Sequence, residues 1–510
     1  MDRPQPSLGV LYILFGLGVS GAWGVFQPGR LFDGILVGTV VMVAGLVAMK
    51  APRHLVSILI VVLAFNRGVR RVLDWSVGEF STTPITSLTP QLLMLLMGGL
   101  ALQSWGQLPV WARRAALLYM GAVTYGLAMG VLSHGLGAIY SSFTWVAPFL
   151  VFLYVVWLRP SRAVLRQWMV VLVVCALVAT TYGWVQYLTL PAWDRFWMIS
   201  ARMNSMGNPE PMKCRFFGPA GTPGGLARLC TFGMVFLLFG LGRGQVLTAP
   251  LVGYLAIGLL MTQGRSVLVG TVLIVVFTLL LMRGSSSWKS GLVVLVLVVG
   301  IVVVLPSIPG GESVSNRVRT LLNVQEDGSF RGRMTFTRYA LPEILMQPQG
   351  SGIGAAGLGR RVTGVYSISA FDNGYLAVLF SLGLPGLAML VGSLALIARH
   401  TAMARFSPDA DSRLIALGRG LCIGYLFLML PSNWLDDDIT FLLWMIVGVL
   451  AVMASPVSGE AVRGGVVRRG VGVDPRAYGP GVSGRDTARG VPGRLLGGGM
   501  EGAGPAAGPR

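Results

Sequence analysis

Apolar runs of about 20 residues, each closed by proline, glycine or a charged residue, recur along the chain almost to residue 454. A helix of that length spans the hydrocarbon of a bilayer with every backbone N–H and C=O bonded inside the segment. The pattern therefore predicts an all-α polytopic membrane protein with about 14 transmembrane helices. They fall at 8–26, 31–49, 55–66, 88–104, 114–132, 140–158, 167–188, 225–241, 246–262, 266–282, 288–305, 371–398, 414–431 and 438–454. The first is read as an uncleaved span, because no small-residue cleavage site follows it. The third is the shortest, and a re-entrant segment there would invert the parity of everything before it.

Residues 1–454 thus form one transmembrane domain, and the pattern stops beyond it. The stretch 455–510 is rich in Gly, Arg, Pro and Val without periodicity, so it is expected to be a disordered cytoplasmic tail. Its arginines suit anionic lipid headgroups better than an RNA contact.

Composition sharpens this picture. The chain is 54% hydrophobic and only 12% charged, with a mean hydropathy of +0.70, which excludes a set of soluble domains. The net charge of +20 is scattered over short joints between apolar runs, which argues against nucleic-acid binding. Lys50, Arg53, Arg113, Arg114, Arg159, Arg162 and Arg166 gather on one side if both termini are cytoplasmic, as the positive-inside rule prefers. The same orientation puts Arg67, Arg70 and Arg71 outside, which the rule disfavours. Neither Cys175, Cys214, Cys230 and Cys422 nor His54, His134 and His400 have metal-ligand or triad spacing. No metal site and no cofactor motif is expected.

The long joints 189–224 and 306–370 lie outside in this orientation. They carry Arg195, Arg202, Lys213, Arg215, Arg317, Arg319, Arg331, Arg333, Arg338, Arg360 and Arg361, with Arg228 set aside at the margin. Arginine on the outer side has no topological use, so an anionic ligand competes with plain solvated surface as its explanation, and phosphate fits the planar guanidinium fork.

Within the second joint an amphipathic helix is expected at about 333–347, stopped by Pro348 and a Gly-rich turn that offers close backbone approach or is only a turn. Arg331, Arg333 and Arg338 cannot all share one helical face, since 333 and 338 are five residues apart. Asp372 and Asn373 then open an apolar helix. Asp372 is either an N-cap or the group that takes a proton from an attacking sugar hydroxyl, with Asn373 orienting that acceptor. Arg265, in a tight turn between two spans, costs up to about 3 kcal/mol near hydrocarbon unless it snorkels or is paired. Asp436, Asp437 and Asp438 could hold Mg²⁺, but acidic residues at a helix start are the commoner arrangement.

RFFGPAGTPGGLA before one span, GRS opening another, and the outer loop ending in GSGIG and DNGYL follow in an order that resembles the O-antigen ligase and O-antigen polymerase superfamily of bacterial membrane glycosyltransferases, over about 205–450. The resemblance implies a GT-C-like helical architecture with a long periplasmic loop over the site. It implies metal-independent transfer of a saccharide from an undecaprenyl diphosphate carrier to an acceptor hydroxyl, on the periplasmic face of the inner (plasma) membrane. Arg215 and Arg265 would engage the donor diphosphate with Asp372 as base. Arg333, Arg331, Arg338, Asn373 and Tyr375 would bind substrate. Partners would be lipid-linked oligosaccharides and membrane lipid, with a flippase and a chain-length regulator acting alongside.

Ligases of this superfamily typically show His-Asn-Ser where this chain has Asp372-Asn373-Gly374. That departure, with the acidic NWLDDD turn, favours a polymerase of exopolysaccharide, capsule or O-antigen repeat units over a ligase acting on lipid A-core. A transporter of the same lipid-linked sugars is the alternative of another class. Against it stand spans almost free of buried charge apart from Arg419, and informative residues gathered on one face.

Overall fold

The computed structural model describes residues 6–81, 84–201, 204–241, 248–282, 328–355, 373–403, 411–431 and 440–454. The chain divides into two units, Met1–Pro456 and Val457–Arg510. The second, with nearly all of the expected tail, lies outside the described residues, as do the expected span 288–305 and the acidic turn 436–438.

The described residues are helical apart from turns and an isolated bridge between Gly207 and Cys214. In chain order the helices are α1 (Pro6–Phe26), α2 (Leu31–Lys50), α3 (Leu55–Val77), α4 (Thr89–Gln103), α5 (Val110–His134), α6 (Leu136–Leu158), α7 (Arg162–Thr189) and α8 (Ala192–Ala201). They continue with α9 (Pro223–Val235), α10 (Thr248–Met261), α11 (Arg265–Leu281), α12 (Gly328–Leu345), α13 (Gly374–Met403), α14 (Ser412–Leu428) and α15 (Thr440–Met453).

Eight helices are long and apolar enough to cross a membrane, and α10, α11 and α15 are shorter apolar helices. The chain is a multi-pass α-helical membrane protein. Every predicted span within the described residues coincides with a helix, but the count of fourteen crossings exceeds those eight.

The third span departs most from expectation. Its helix does not stop near residue 66 but runs on through Arg67, Arg70 and Arg71 to Val77, ending where Gly78 turns left-handed at φ +75°. It continues because its charges are matched. Arg30 and Arg70 reach Asp74 at 2.8 and 3.4 Å, Arg30 also reaches Asp33 at 3.1 Å, and Arg71 meets Asp194 at 2.7 Å. Three cations thus face three anions, and two of the arginines that the charge rule disfavours outside are held by carboxylates.

Small residues set the approach of the helices. Along α11 and α14, Gly270 meets Leu428, Ile274 meets Gly424 and Thr278 meets Gly420, an antiparallel register. Between α9 and α10, Gly233 meets Leu255 and Cys230 meets Gly258, again antiparallel, so α10 ends where α9 begins. Thr231 and Thr271 share a buried hydrogen bond at 2.7 Å between α9 and α11. A second core layer stacks Tyr119 on Phe149 at 3.9 Å, with Trp444 edge-on at 4.9 Å from Phe149, tying α5, α6 and α15.

The helix expected at 333–347 is α12, which starts earlier and ends at Leu345. Helix α13 is broken at Gly383 (φ +60°, ψ −172°), two residues before Pro385. The glycines at 350, 352 and 354, all at positive φ, pack into that break and against α5 and α6. A Cβ on Gly352 would stand 2.2 Å from the Gly130 nitrogen, and one on Gly350 would stand 2.4 Å from that of Gly383.

Candidate functional site

The segment after α8 is shaped by glycine. Gly218 and Gly221 sit at φ +51° and +84°, where a Cβ would meet the Ala179 carbonyl at 2.9 Å and the Arg67 side chain at 2.6 Å. Gln186 of α7 accepts from the backbone N–H groups of Phe217 and Gly218 at 3.3 and 3.0 Å. Thr222 then caps α9, accepting from the Gly225 N–H at 3.0 Å, a contact worth about 1 kcal/mol.

Arg71 braces this segment from α3. Its guanidinium donates to the Gly218 carbonyl and lies over the Phe217 ring, while Asp194 holds it from the other side. Asp194 also accepts from the Tyr182 hydroxyl at 2.7 Å, and Trp193 donates to that hydroxyl at 2.6 Å.

Arg215, half-buried, enters through the backbone: its N–H donates to Met206 at 2.8 Å, and the N–H of Phe216 donates to Met261 at 3.2 Å. Met261 ends α10, and Arg265 is the first residue of α11, so one contact joins the segment of Arg215 to the turn before Arg265. That turn is closed by Gln263 at φ +56° and by the Gly264 N–H donating to Thr262 at 3.3 Å. A cation at a helix N-terminus opposes the helix dipole, so an anion is the species that suits this position.

Helix α9 passes beside this turn. A Cβ on Gly264 would lie 3.7 Å from Ala227, the residue before Arg228. Arg228 is only 7% exposed, its Nε donates to the Gly224 carbonyl at 3.1 Å, and it lines a cleft with Thr231, Phe232, Val267, Tyr425 and Leu428. Setting it aside as a marginal loop residue missed it. The signal was a charge six residues into an otherwise apolar run.

The far wall of the cleft is α14, and its end holds the start of α13. The Gly374 N–H donates to the Met429 carbonyl at 2.7 Å, and the Tyr375 hydroxyl donates to Leu426 at 2.8 Å. The Asn373 side chain accepts from the N–H groups of Tyr375 and Leu376 at 2.9 and 3.2 Å. The cap of this helix is therefore Asn373. Asp372, the expected cap or base, lies outside the described residues, and the Tyr375 hydroxyl is engaged with backbone.

Helix α12 packs on α13 through Ala340 and Ile344 against Leu376 and Ala377. Arg333 is half-buried there, while Arg331 and Arg338 are exposed, as their spacing requires. The Gly-rich turn does not make a cradle in its described part. The N–H groups of Gly350, Ser351, Ile353 and Ala355 donate to Gln347, Phe380, Gly126 and Gly352. Burial pushes the Cys214 thiol up to about 11, which favours its protonated form at neutral pH.

Backbone contacts thus join the segment of Arg215 to the end of α10, four residues before Arg265, pack Ala227 beside Gly264, and hold the start of α13 at the end of α14. Residues 250–391 match a family model described as O-antigen ligase (Wzy_C). The expected resemblance is shown over that segment, which is narrower than 205–450. It includes Arg265, Arg333 and Asn373 and leaves out Arg215 and Arg228. No curated protein matches the chain.

Proposed function

We propose, taking the O-antigen ligase match over residues 250–391 as premise, that this protein is a membrane glycosyltransferase polymerising oligosaccharide repeat units carried on undecaprenyl diphosphate. The observation that supports the reading is the Phe216–Met261 contact, which seats the segment of Arg215 on the turn before Arg265, with Ala227 of α9 against Gly264. The active face is the periplasmic one and the membrane the bacterial inner membrane. The long outer joint 306–370 caps the site within a GT-C-like transmembrane domain, 1–454, and 455–510 is a cytoplasmic tail.

In the transfer an acceptor sugar hydroxyl attacks the anomeric carbon of the donor. The new glycosidic C–O bond forms as the bond to the carrier diphosphate breaks, and the bonding pair leaves with the diphosphate. Guanidinium groups fixed at Arg215, Arg265 and Arg228 stabilise that growing charge, the role a divalent cation fills in metal-dependent transferases. Asp372 takes the hydroxyl proton. Asn373 keeps its amide N–H groups for the acceptor while its oxygen caps α13. Arg333, on the buried side of α12, reaches the donor, and Arg331, Arg338 and Tyr375 border the acceptor path.

The ligase alternative uses the same site with lipid A-core as acceptor. Asp372 in place of the ligases' His favours repeat-unit polymerisation. A flippase supplies the lipid-linked units and a chain-length regulator limits the product. Deleting the gene in its host and sizing both carrier-linked glycans and exported polysaccharide tests the reading. Single repeat units accumulating on the carrier, with long polymer lost, is the expected result. Long polymer retained on the carrier indicates the ligase, and unchanged profiles of both would return the transporter.

A further inference from the structure

Helix α13 is interrupted by another piece of the chain. In a continuous helix the Leu384 N–H would donate to the Phe380 carbonyl, four residues back. Here the Leu384 N–H donates to the Pro348 carbonyl at 2.7 Å, and the Phe380 carbonyl accepts from the Ser351 N–H at 2.8 Å. The turn at 348–351 is thus inserted between the two partners of one helical bond. Pro385 is not the cause, because a proline forfeits its own bond, to Ser381, and leaves the bond between 384 and 380 available. Gly383 takes up the bend at φ +60° and ψ −172°, a conformation open essentially to glycine alone.

Helix α5 holds the turn from the other side. The Tyr125 hydroxyl donates to the Gln349 carbonyl at 3.0 Å, and His134, the last residue of α5, meets the Ser351 carbonyl through Nε2 at 3.2 Å. A carbonyl only accepts, so Nε2 carries the proton. Ser351 therefore has its N–H on α13 and its carbonyl on α5. The Ile353 N–H donates to the Gly126 carbonyl at 2.8 Å, and the buried Ile353 side chain shares a core cluster with Leu382. Ahead of the bend, the half-helix from Gly374 is capped by Asn373 and bonded at its start to the Met429 carbonyl. Its direction is fixed at two points, Met429 and the inserted turn.

We propose that His134 is a positioning residue for the transfer: by holding the Ser351 carbonyl it keeps the turn inserted in α13, and so keeps the half-helix that Asn373 caps in line on the acceptor side. Tyr125 supports the same turn through Gln349. The role in the transfer rests on the function proposed above, whereas the hold on the break stands on the hydrogen bonds alone.

Hydrogen exchange followed by mass spectrometry, on the full chain in nanodiscs, reads the two inserted bonds directly. His134→Phe keeps an aromatic ring and removes the donor. Peptides covering 349–355 and 380–386 should exchange at least tenfold faster in that variant, with 265–281 unchanged. In His134→Gln an amide N–H replaces the ring donor, and exchange should return to within threefold of the native chain. Unchanged exchange in His134→Phe, or no recovery in His134→Gln, overturns the hold on the break. Polymer formed per molecule of enzyme should fall at least tenfold in His134→Phe and recover in His134→Gln, while binding of sugar-free undecaprenyl diphosphate stays within twofold. Native turnover despite faster exchange, or binding lost in parallel with turnover, overturns the positioning role. Arg265→Ala separates this from the donor site: full turnover in that variant removes the proposed site and with it the role in transfer, while the exchange comparison still decides the hold on the break.

Discussion

Arg71 of α3 and Asp194 of α8 form a fully buried ion pair at 2.7 Å, and the same guanidinium holds the Gly218 carbonyl of the segment that carries Arg215. Removing one charge strands the other in a low-dielectric interior, a loss of about 3–5 kcal/mol. Asp194→Asn should therefore lower the thermal midpoint of the detergent-purified protein far more than Glu210→Gln in the exposed pair with Lys213. Equal midpoints for the two variants would deny the pair its bracing role.

Arg215→Ala and Arg265→Ala should each abolish polymer while the protein still reaches the membrane in normal amount. A preorganised cation lost from a developing charge lowers the rate by about 10²–10³-fold. Arg→Lys at either position should retain a small part of the activity, because ammonium keeps charge but not the two-pronged geometry. Asp372→Asn probes the base. Wild-type polymer from all these variants would remove the site assignment.

Arg228→Met keeps the length of the side chain in the cleft and deletes its charge. With Tyr425 and Leu428 still packed opposite, the fold should hold, and turnover at saturating donor should fall at least tenfold. The readout is polymer formed per molecule of purified enzyme. An unchanged rate would leave Arg228 as a structural residue that bonds the Gly224 carbonyl.

Two glycines separate crowding from openness. Gly352→Ala would force a Cβ to 2.2 Å from the Gly130 nitrogen at φ +84°, and should destabilise by at least about 2 kcal/mol. Gly224→Ala has nothing within 4 Å and lies in helix α9, so it should be neutral or slightly stabilising. Denaturation midpoints of the two variants in one detergent check the contrast.

The spans were legible because hydrophobic length alone sets them, and α1, α2, α6 and α7 appear within a few residues of expectation. Helix α3 was misjudged because its arginines look like a boundary until Asp74 and the distant Asp194 are seen to match them. Arg215 and Arg265 were legible as charges beside turns. Their kinship through Met261 is a long-range contact that no local pattern carries. Arg228 was overlooked for the opposite reason, since its place within an apolar run resembles a span edge. The glycines at 350–354 read equally well as a ligand cradle or as a tight passage, and only the partners of their N–H groups distinguish the two.

The carboxylate that matches Arg71 is encoded about 120 residues after it, an interval of roughly 6–24 s at ribosomal rates of about 5–20 residues per second. Arg70 finds Asp74 within its own helix as soon as the turn forms, whereas Arg71 waits for α8. The second half of α3 thus completes its burial only after α7 has been made, and the segment bearing Arg215 locks into place later still. Biogenesis of this protein proceeds with one early helix left unfinished, and Asp194 is the residue that closes it.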